Sequence, residues 1–129
     1  MKLTQFVTTA EGGSHFSTID IPITIEREGA GGFILTTSDP FESGAVTFVS
    51  LPADLDQDWH PAPTRQFVQV LSGSVEVTTS DMETRRFGAG DLFIAGDTTG
   101  QGHRTRVIDG PALVIFIPVP ARAFPEQAG

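Results

Sequence analysis

The chain has no cysteine, no tyrosine and only one tryptophan in 129 residues. The lack of cysteine excludes disulfides, thiolate metal ligands and cysteine nucleophiles, and it agrees with a reducing compartment. No apolar run approaches the roughly 20 residues that span a bilayer, and the N-terminal segment lacks the apolar core of a signal peptide. We therefore expect a cytoplasmic protein with no membrane partner.

Basic residues are also scarce: 8 lysines and arginines stand against 16 aspartates and glutamates, which gives a net charge of −8. Such a surface repels phosphate backbones, so no nucleic-acid partner is expected. Arg65, Arg104 and Arg106 nevertheless lie beside two histidine-containing segments. They could form a local positive rim that attracts a small anionic ligand. Alternatively, they pair with nearby aspartates on the surface.

Two catalytic signatures are missing as well. The chain contains no G-x-S-x-G sequence, which carries the nucleophile in many hydrolases. The glycine-rich stretch 97–102 does not resemble a phosphate-binding loop, because no helix is predicted after it and it contains no lysine. The sequence therefore offers no nucleophile candidate.

Glycine and proline are plentiful, with 14 and 9 residues, and no sustained helical periodicity is present. Turns are predicted at 71–74, where Gly73 favours a tight hairpin, at 80–83, and at the Asp-Gly-Pro sequence 109–111. Short segments that alternate or run apolar predict β-strands at 3–8, 16–26, 32–37, 44–51, 65–71, 74–79, 84–87, 91–95, 103–108 and 112–119. This spacing is typical of an antiparallel sandwich or barrel.

Two segments, 59–73 and 90–103, resemble the signature motifs of the cupin superfamily, G-x5-H-x-H-x3,4-E-x6-G and G-x5-P-x-G-x2-H-x3-N. The conserved positions that the chain keeps are His60, Gly73, Gly90 and His103. The resemblance implies an all-β, single-domain cupin jelly-roll barrel. It implies one domain over 1–129, with the barrel at about 44–119, an N-terminal strand segment at 1–37 and a loose tail at 121–129.

The chain departs from this pattern at several positions. Ala62 replaces the second histidine, Gln66 the glutamate and Gly96 the proline, and Arg106-Val107 stands where an asparagine is expected. A narrower resemblance, W-H-x-A-P-x-R-Q with D-T-T-G-x-G-H, is to small single-domain cupins without a settled activity. In the superfamily the three histidines and the glutamate usually hold a divalent metal. The implied metal ligands here are His60, Gln66 and His103, for Zn, Fe, Mn or Ni, and the alternative is a metal-free pocket.

Strand alternation places every second residue on one face. From His60 that face continues to Ala62, Thr64, Gln66, Val68 and Val70, and a second face carries His103, Thr105 and Val107. This predicts an inner pocket around His60, Gln66 and His103. The remaining predicted pocket residues are Trp59, Ala62, Arg65 and Thr105.

Three further residues near the motifs have more than one interpretation. Trp59 could stack on a ligand or simply pack against its neighbours. Asp58 and Asp97 are the sequence neighbours that could supply a carboxylate ligand, although neither fits the alternation. Asp97 could instead accept backbone N–H bonds within its loop.

Two functions remain open. In the first, the barrel is an enzyme acting on a small organic substrate, with His60 and His103 as metal ligands or as general acid and base, in isomerase, cyclase or lyase-type chemistry. In the second, it binds a small molecule without turnover. We also predict a homodimer that uses residues 3–7 and the face of Phe67. The alternative is that residues 3–7 complete the sheet of their own chain.

Overall fold

A computed structural model describes residues 1–120 as ten β-strands and one short 3₁₀ turn, Ala30–Gly32. The predicted loose tail at 121–129 lies outside the described residues. No helix in the described part is long and apolar enough to cross a membrane. The strands are β1 (Lys2–Thr8), β2 (Ser14–Asp20), β3 (Ile25–Glu28), β4 (Ile34–Thr37), β5 (Thr47–Leu51), β6 (Asp56–His60), β7 (Gln66–Thr78), β8 (Thr84–Gly88), β9 (Leu92–Gly96) and β10 (His103–Pro118).

Eight of these strands form one bent sheet that makes two walls, and β3 and β4 pair separately as a hairpin. The larger wall has the order β2-β1-β9-β7-β10-β5. The smaller wall forms because β8 pairs with the second half of β7, and β6 with the first half of β10. The long strands β7 and β10 pair with each other in both walls. The predicted all-β jelly-roll barrel is confirmed.

The predicted hairpin at 71–74 is wrong, because β7 is one strand of 13 residues that runs through these positions without turning back. Val68 and Val70 are buried in its first half, and Val75 and Val77 in its second half, so the buried positions change from even to odd numbers. Gly73 lies at the change with φ of 76°. A glycine that permits positive φ can therefore mark a bend within a strand as well as a turn between two strands.

The predicted turn at 109–111 is wrong for the same reason, because β10 also continues through it. Its buried positions change from Val107 to Ala112 and Val114, and the register with β7 shifts between Asp109 and Leu113. A Cβ added at Gly73 would overlap the carbonyl oxygen of Asp109. The two long strands thus bend together, and the bend carries them from one wall to the other. The predicted turn at 80–83 is present, with Met82 N–H donating to Thr79 O.

The core has two parts on opposite faces of the larger wall. The interior of the barrel holds one cluster, which includes Phe6, Val68 and Val114, and the outer face holds a second around Leu3 and Ile94. Strand β1 contributes to both because its side chains alternate.

The N-terminal strand completes the sheet of its own chain. Strand β1 lies between β2, to which it is antiparallel, and β9, to which it is parallel. Phe67, on the outer face, packs edge-on against Phe41 with ring centroids 5.6 Å apart. Of the two alternatives for residues 3–7, the structure therefore has pairing within the chain. The homodimer itself stays a prediction.

Candidate functional site

A cavity of about 390 Å³ opens between the two walls. The lining residues come from β1, β5, β6, β7, β9 and β10 and from the connection between β6 and β7, and they are Phe6, Val49, Leu51, Gln57, His60, Ala62, Pro63, Gln66, Val68, Val75, Val77, Phe93, Ala95, His103, Thr105, Val114 and Phe116. Pockets of this size are typical of sites for small organic molecules.

The two histidines of the motifs meet at one end of this cavity. His60 ends β6 and His103 begins β10, and the two residues pair directly in the antiparallel register. Their ring centroids are 4.6 Å apart. His103 is 6% exposed, and the ring of Phe6 lies 4.6 Å from its ring. The structure thus brings the two imidazole rings together, and the Phe6 ring packs against that of His103.

Gly102 makes this close pairing possible. A Cβ at this position would overlap the carbonyl group of His60 and the nitrogen of Pro61. The residue also has φ of 78°, which side chains other than glycine rarely adopt. Its carbonyl oxygen accepts a hydrogen bond of 2.7 Å from the buried Ser14 hydroxyl. Strand β2 therefore fixes the segment that brings His103 against His60.

Hydrogen bonds define which nitrogen of each ring is free. The Nδ1 of His60 lies 2.7 Å from the backbone oxygen of Asp58, and a carbonyl oxygen can only accept, so Nδ1 carries the proton. The Nδ1 of His103 lies 2.6 Å from Oδ2 of Asp97, which identifies it as a donor in the same way. In the neutral form, each ring keeps a lone pair on Nε2 for the cavity.

Asp97 is the main residue of the site whose role the sequence did not predict. It follows β9, is fully buried at 0% exposure, and accepts through Oδ2 from His103. Its Oδ1 also accepts a longer bond, 3.4 Å, from the backbone N–H of Ala62, which lies in the β6–β7 connection and not in the loop of Asp97. A buried carboxylate on Nδ1 orients the ring and stabilises a positive charge on it. An aspartate six positions before a pocket histidine, across a loop with Gly100 and Gly102, was the available signal.

The other predicted pocket residues divide into two groups. Gln66, Ala62 and Thr105 line the cavity together with the histidines. Trp59 and Arg65 do not line it. The guanidinium of Arg104 lies over the Trp59 ring, with Cζ 5.9 Å from the centre of the ring.

Arg65 contributes to packing near the site, and not to the cavity lining. Its guanidinium comes so close to Gly96 that a Cβ there would lie 3.2 Å from it. Burial lowers the pKa of Arg65.

Two of the three arginines of the predicted positive rim, Arg104 and Arg106, form ion pairs on the surface. Arg106 binds Glu76 at 2.9 Å, and this contact raises the pKa of Arg106. Arg104 lies 3.6 Å from Asp56, a looser pair between exposed side chains. Both arginines therefore have carboxylate partners outside the cavity, as the alternative reading of these residues expects.

The donors at the site do not fit a complete catalytic metal centre. Within residues 1–120 no group of three or more histidines, cysteines, aspartates or glutamates could hold a metal ion. Asp97 contacts Nδ1 of His103, on the edge of the ring away from the free Nε2. The polar set that faces the cavity is two imidazoles, the neutral amides of Gln57 and Gln66 and the Thr105 hydroxyl. It lacks the anionic ligand that favours a divalent cation.

Comparison with known proteins gives a likeness of fold alone. No protein-family model matches the chain, and no curated protein matches it significantly in sequence. The cupin domain of Cnp3 from Schizosaccharomyces pombe has a TM-score of 0.47 at 15% identity, over 92% of this chain and 83% of that one.

Two bacterial structures show a similar likeness. Protein NMB1881 from Neisseria meningitidis has a TM-score of 0.47 at 19% identity, over 62% of this chain and 84% of that one. The conserved protein SPY1581 of unknown function from Streptococcus pyogenes has a TM-score of 0.46 at 24% identity, over 70% and 72%. None of these likenesses identifies a ligand or a reaction. The structure itself shows an all-β barrel, which is the class of fold that the two motifs predicted.

Proposed function

We propose that the protein binds a small organic molecule in the barrel and moves a proton on it. The base is Nε2 of His103, whose ring is oriented by the hydrogen bond from its Nδ1 to Asp97. His60 is the second group that accepts or returns the proton. The contact that carries this proposal is the buried bond of 2.6 Å between His103 and Asp97. A carboxylate on Nδ1 holds the imidazole in the tautomer and orientation that leave the Nε2 lone pair available to a substrate.

The reaction that fits this arrangement is an isomerisation through an enol. Nε2 of His103 takes a proton from a carbon beside a carbonyl group, the electron pair of that C–H bond forms a C=C bond, and the π pair of the carbonyl group moves onto its oxygen. The proton then returns to a different atom of the same molecule, either directly from His103 or after it has passed to the Nε2 lone pair of His60. Atoms and electrons balance without an oxidant, a reductant or a metal. Positioned acid–base groups of this kind contribute about 10²- to 10⁴-fold to a rate.

Hydrogen exchange on an enolisable ketone tests the proposal. The protein would be incubated with 2-tetralone in D₂O, and loss of the α-hydrogens would be followed by proton NMR. The exchange rate with wild-type protein should exceed the rate with an equal concentration of free imidazole. In His103→Gln the part of the rate above free imidazole should fall by about 10²-fold or more. His15→Gln is the matched control, since His15 lies on β2 outside the cavity lining.

Asp97→Asn separates the orienting role from simple basicity. An amide can turn its NH₂ toward Nδ1, which places the proton on Nε2 and removes the free lone pair. The exchange rate should therefore fall although His103 remains. Equal exchange by wild type and His103→Gln would overturn the proposal.

The second candidate is a binding barrel without turnover. It is favoured by the incomplete metal-ligand set around Ala62 and Gln66. Under this alternative the protein binds a small neutral molecule but does not accelerate exchange above free imidazole. The two candidates therefore differ in the exchange assay and agree in binding.

A further inference from the structure

The cavity lining carries polar groups but no permanent charge. Among the described residues that line it there is no aspartate, glutamate, lysine or arginine. Asp97, the nearest buried carboxylate, is already bonded to His103 and does not belong to the lining. Arg104 and Arg106 have their carboxylate partners outside the cavity.

Four of the five polar side chains in the lining are gathered on one side. His60 pairs with His103 and Gln57 with Thr105, so all four lie on the β6–β10 ladder. Gln66 begins β7 and is 8% exposed. The other lining positions on β1, β5, β7, β9 and the second half of β10 are valine, leucine, phenylalanine or alanine. A molecule that fills the cavity therefore meets hydrogen-bonding groups at one end and hydrocarbon around the rest.

A charged ligand has no counterpart in such a lining. A carboxylate or phosphate would leave water without a lysine or arginine to receive it, and an ammonium group would find no free carboxylate. Burial of an unpaired charge is disfavoured far more strongly than burial of a neutral polar group that finds a hydrogen-bond partner. The composition of the lining thus selects for a neutral ligand.

The free histidine nitrogens specify the polar end of that ligand. Both Nδ1 atoms already donate, so each neutral ring offers an acceptor at Nε2. The best partner for an acceptor is a hydroxyl group, and the Gln66 amide can both donate and accept.

We infer that the cavity takes a neutral, compact, largely apolar molecule with one hydroxyl or enolisable carbonyl group at its polar end. This inference names the substrate class of the proposed function and rests on it.

The volume limits the size of the ligand. An engineered apolar cavity of about 150 Å³ holds one benzene, with six carbon atoms. At the same packing, the cavity of about 390 Å³ holds at most about 16 non-hydrogen atoms. Two fused six-membered rings with one oxygen substituent fall within this limit.

Three probes that share one naphthalene ring system test the inference by calorimetric titration of wild-type protein. They are 2-naphthol, which is neutral with a hydroxyl group, 2-naphthoate, which is anionic, and naphthalene, which has no polar group. We expect 2-naphthol to bind about tenfold more tightly than naphthalene, as one added hydrogen bond gives. Against 2-naphthoate we expect a larger preference, about 10²-fold, because the carboxylate is buried without a partner.

Adjacent residues of β10 provide a matched pair of variants. Val114 lines the cavity and is 1% exposed, whereas Leu113 points to the outer face and is 45% exposed. Val114→Phe should narrow the cavity and weaken 2-naphthol binding, and Leu113→Phe should leave it unchanged. Circular dichroism on both variants verifies that they are folded, and the three-probe comparison on wild type does not depend on either variant.

The outcomes separate this inference from the proposed proton transfer. Tighter binding of 2-naphthoate than of 2-naphthol, or no binding of any probe, overturns the ligand class. Binding of 2-naphthol with no accelerated exchange of 2-tetralone supports the ligand class and overturns the proton transfer. Exchange lost in His103→Gln, together with tighter binding of 2-naphthoate, supports the chemistry and overturns the neutral ligand.

Discussion

Gly102 is the residue at which an added methyl group should disturb the site most. Alanine there would place Cβ against the carbonyl group of His60 and the nitrogen of Pro61. All the overlapping atoms are backbone, so no side chain can turn away to relieve the contact. Among the strands of residues 1–120, β6 pairs with β10 alone. We therefore expect the displacement to fall on β6 and to carry His60 away from His103.

The loss in free energy of unfolding that we expect for Gly102→Ala has two separable parts. Alanine in the left-handed region costs about 1–2 kcal/mol, and φ of Gly102 is 78°. Where Gly102 shares part of the displacement with β6, the hydrogen bond from Ser14 to its carbonyl, which contributes about 1 kcal/mol, is weakened as well. With the lost pairing between His60 and His103, we expect Gly102→Ala to lower the free energy of unfolding by about 3 kcal/mol or more.

Two other glycines isolate these parts. Gly90 has φ of 92° but nothing within 4 Å of an added Cβ, so Gly90→Ala should show the backbone strain alone, about 1–2 kcal/mol. Gly88 has open space and no positive φ, so Gly88→Ala should change stability by less than about 0.5 kcal/mol.

Urea unfolding measures the three variants, with circular dichroism for the whole barrel and Trp59 fluorescence for β6, on which Trp59 lies. Gly102→Ala should also lose 2-naphthol binding, and the other two variants should keep it. A Gly102→Ala protein that is as stable as Gly90→Ala and still binds 2-naphthol would refute the argument that this close approach assembles the site.

Three further predictions follow from the site, a turn and the N-terminal strand. The double variant Ala62→His with Gln66→Glu should bind divalent metal more tightly than wild type in calorimetric titration, because it adds an imidazole and an anionic ligand; equally tight binding by both would contradict this. The Thr79 hydroxyl, which donates to Asp81, lowers the pKa of that carboxyl below its ordinary value of 3.8. Asp81→Asn should therefore slightly destabilise the protein near neutral pH, and the difference in urea unfolding should vanish as pH falls through the lowered pKa. Light scattering should show a homodimer at micromolar concentration, in which residues 3–7 of each chain stay paired within their own sheet; a monomeric wild type would refute the dimer.

The sequence by itself determined the class of fold and the direction of the key side chains. Alternation with a period of two placed His60, Gln66 and His103 toward an interior shared with Val68. This succeeds because the orientation of a side chain in a strand depends only on its own backbone and its position in the alternation. The absence of a histidine ligand at Ala62 was also evident from the sequence, since a residue type is a property of the sequence.

Tertiary structure alone decided where the strands continue and what stands behind the histidines. Gly73 permits a hairpin and a bend equally well, and only the pairing of β7 with β10 on both sides selects the bend. The bond from Asp97 to His103 likewise depends on how a loop returns to the barrel, with Gly102 lying against the backbone of His60. Local pattern fixes which way a side chain points, but the partner that it meets is set by packing between strands that are distant along the chain.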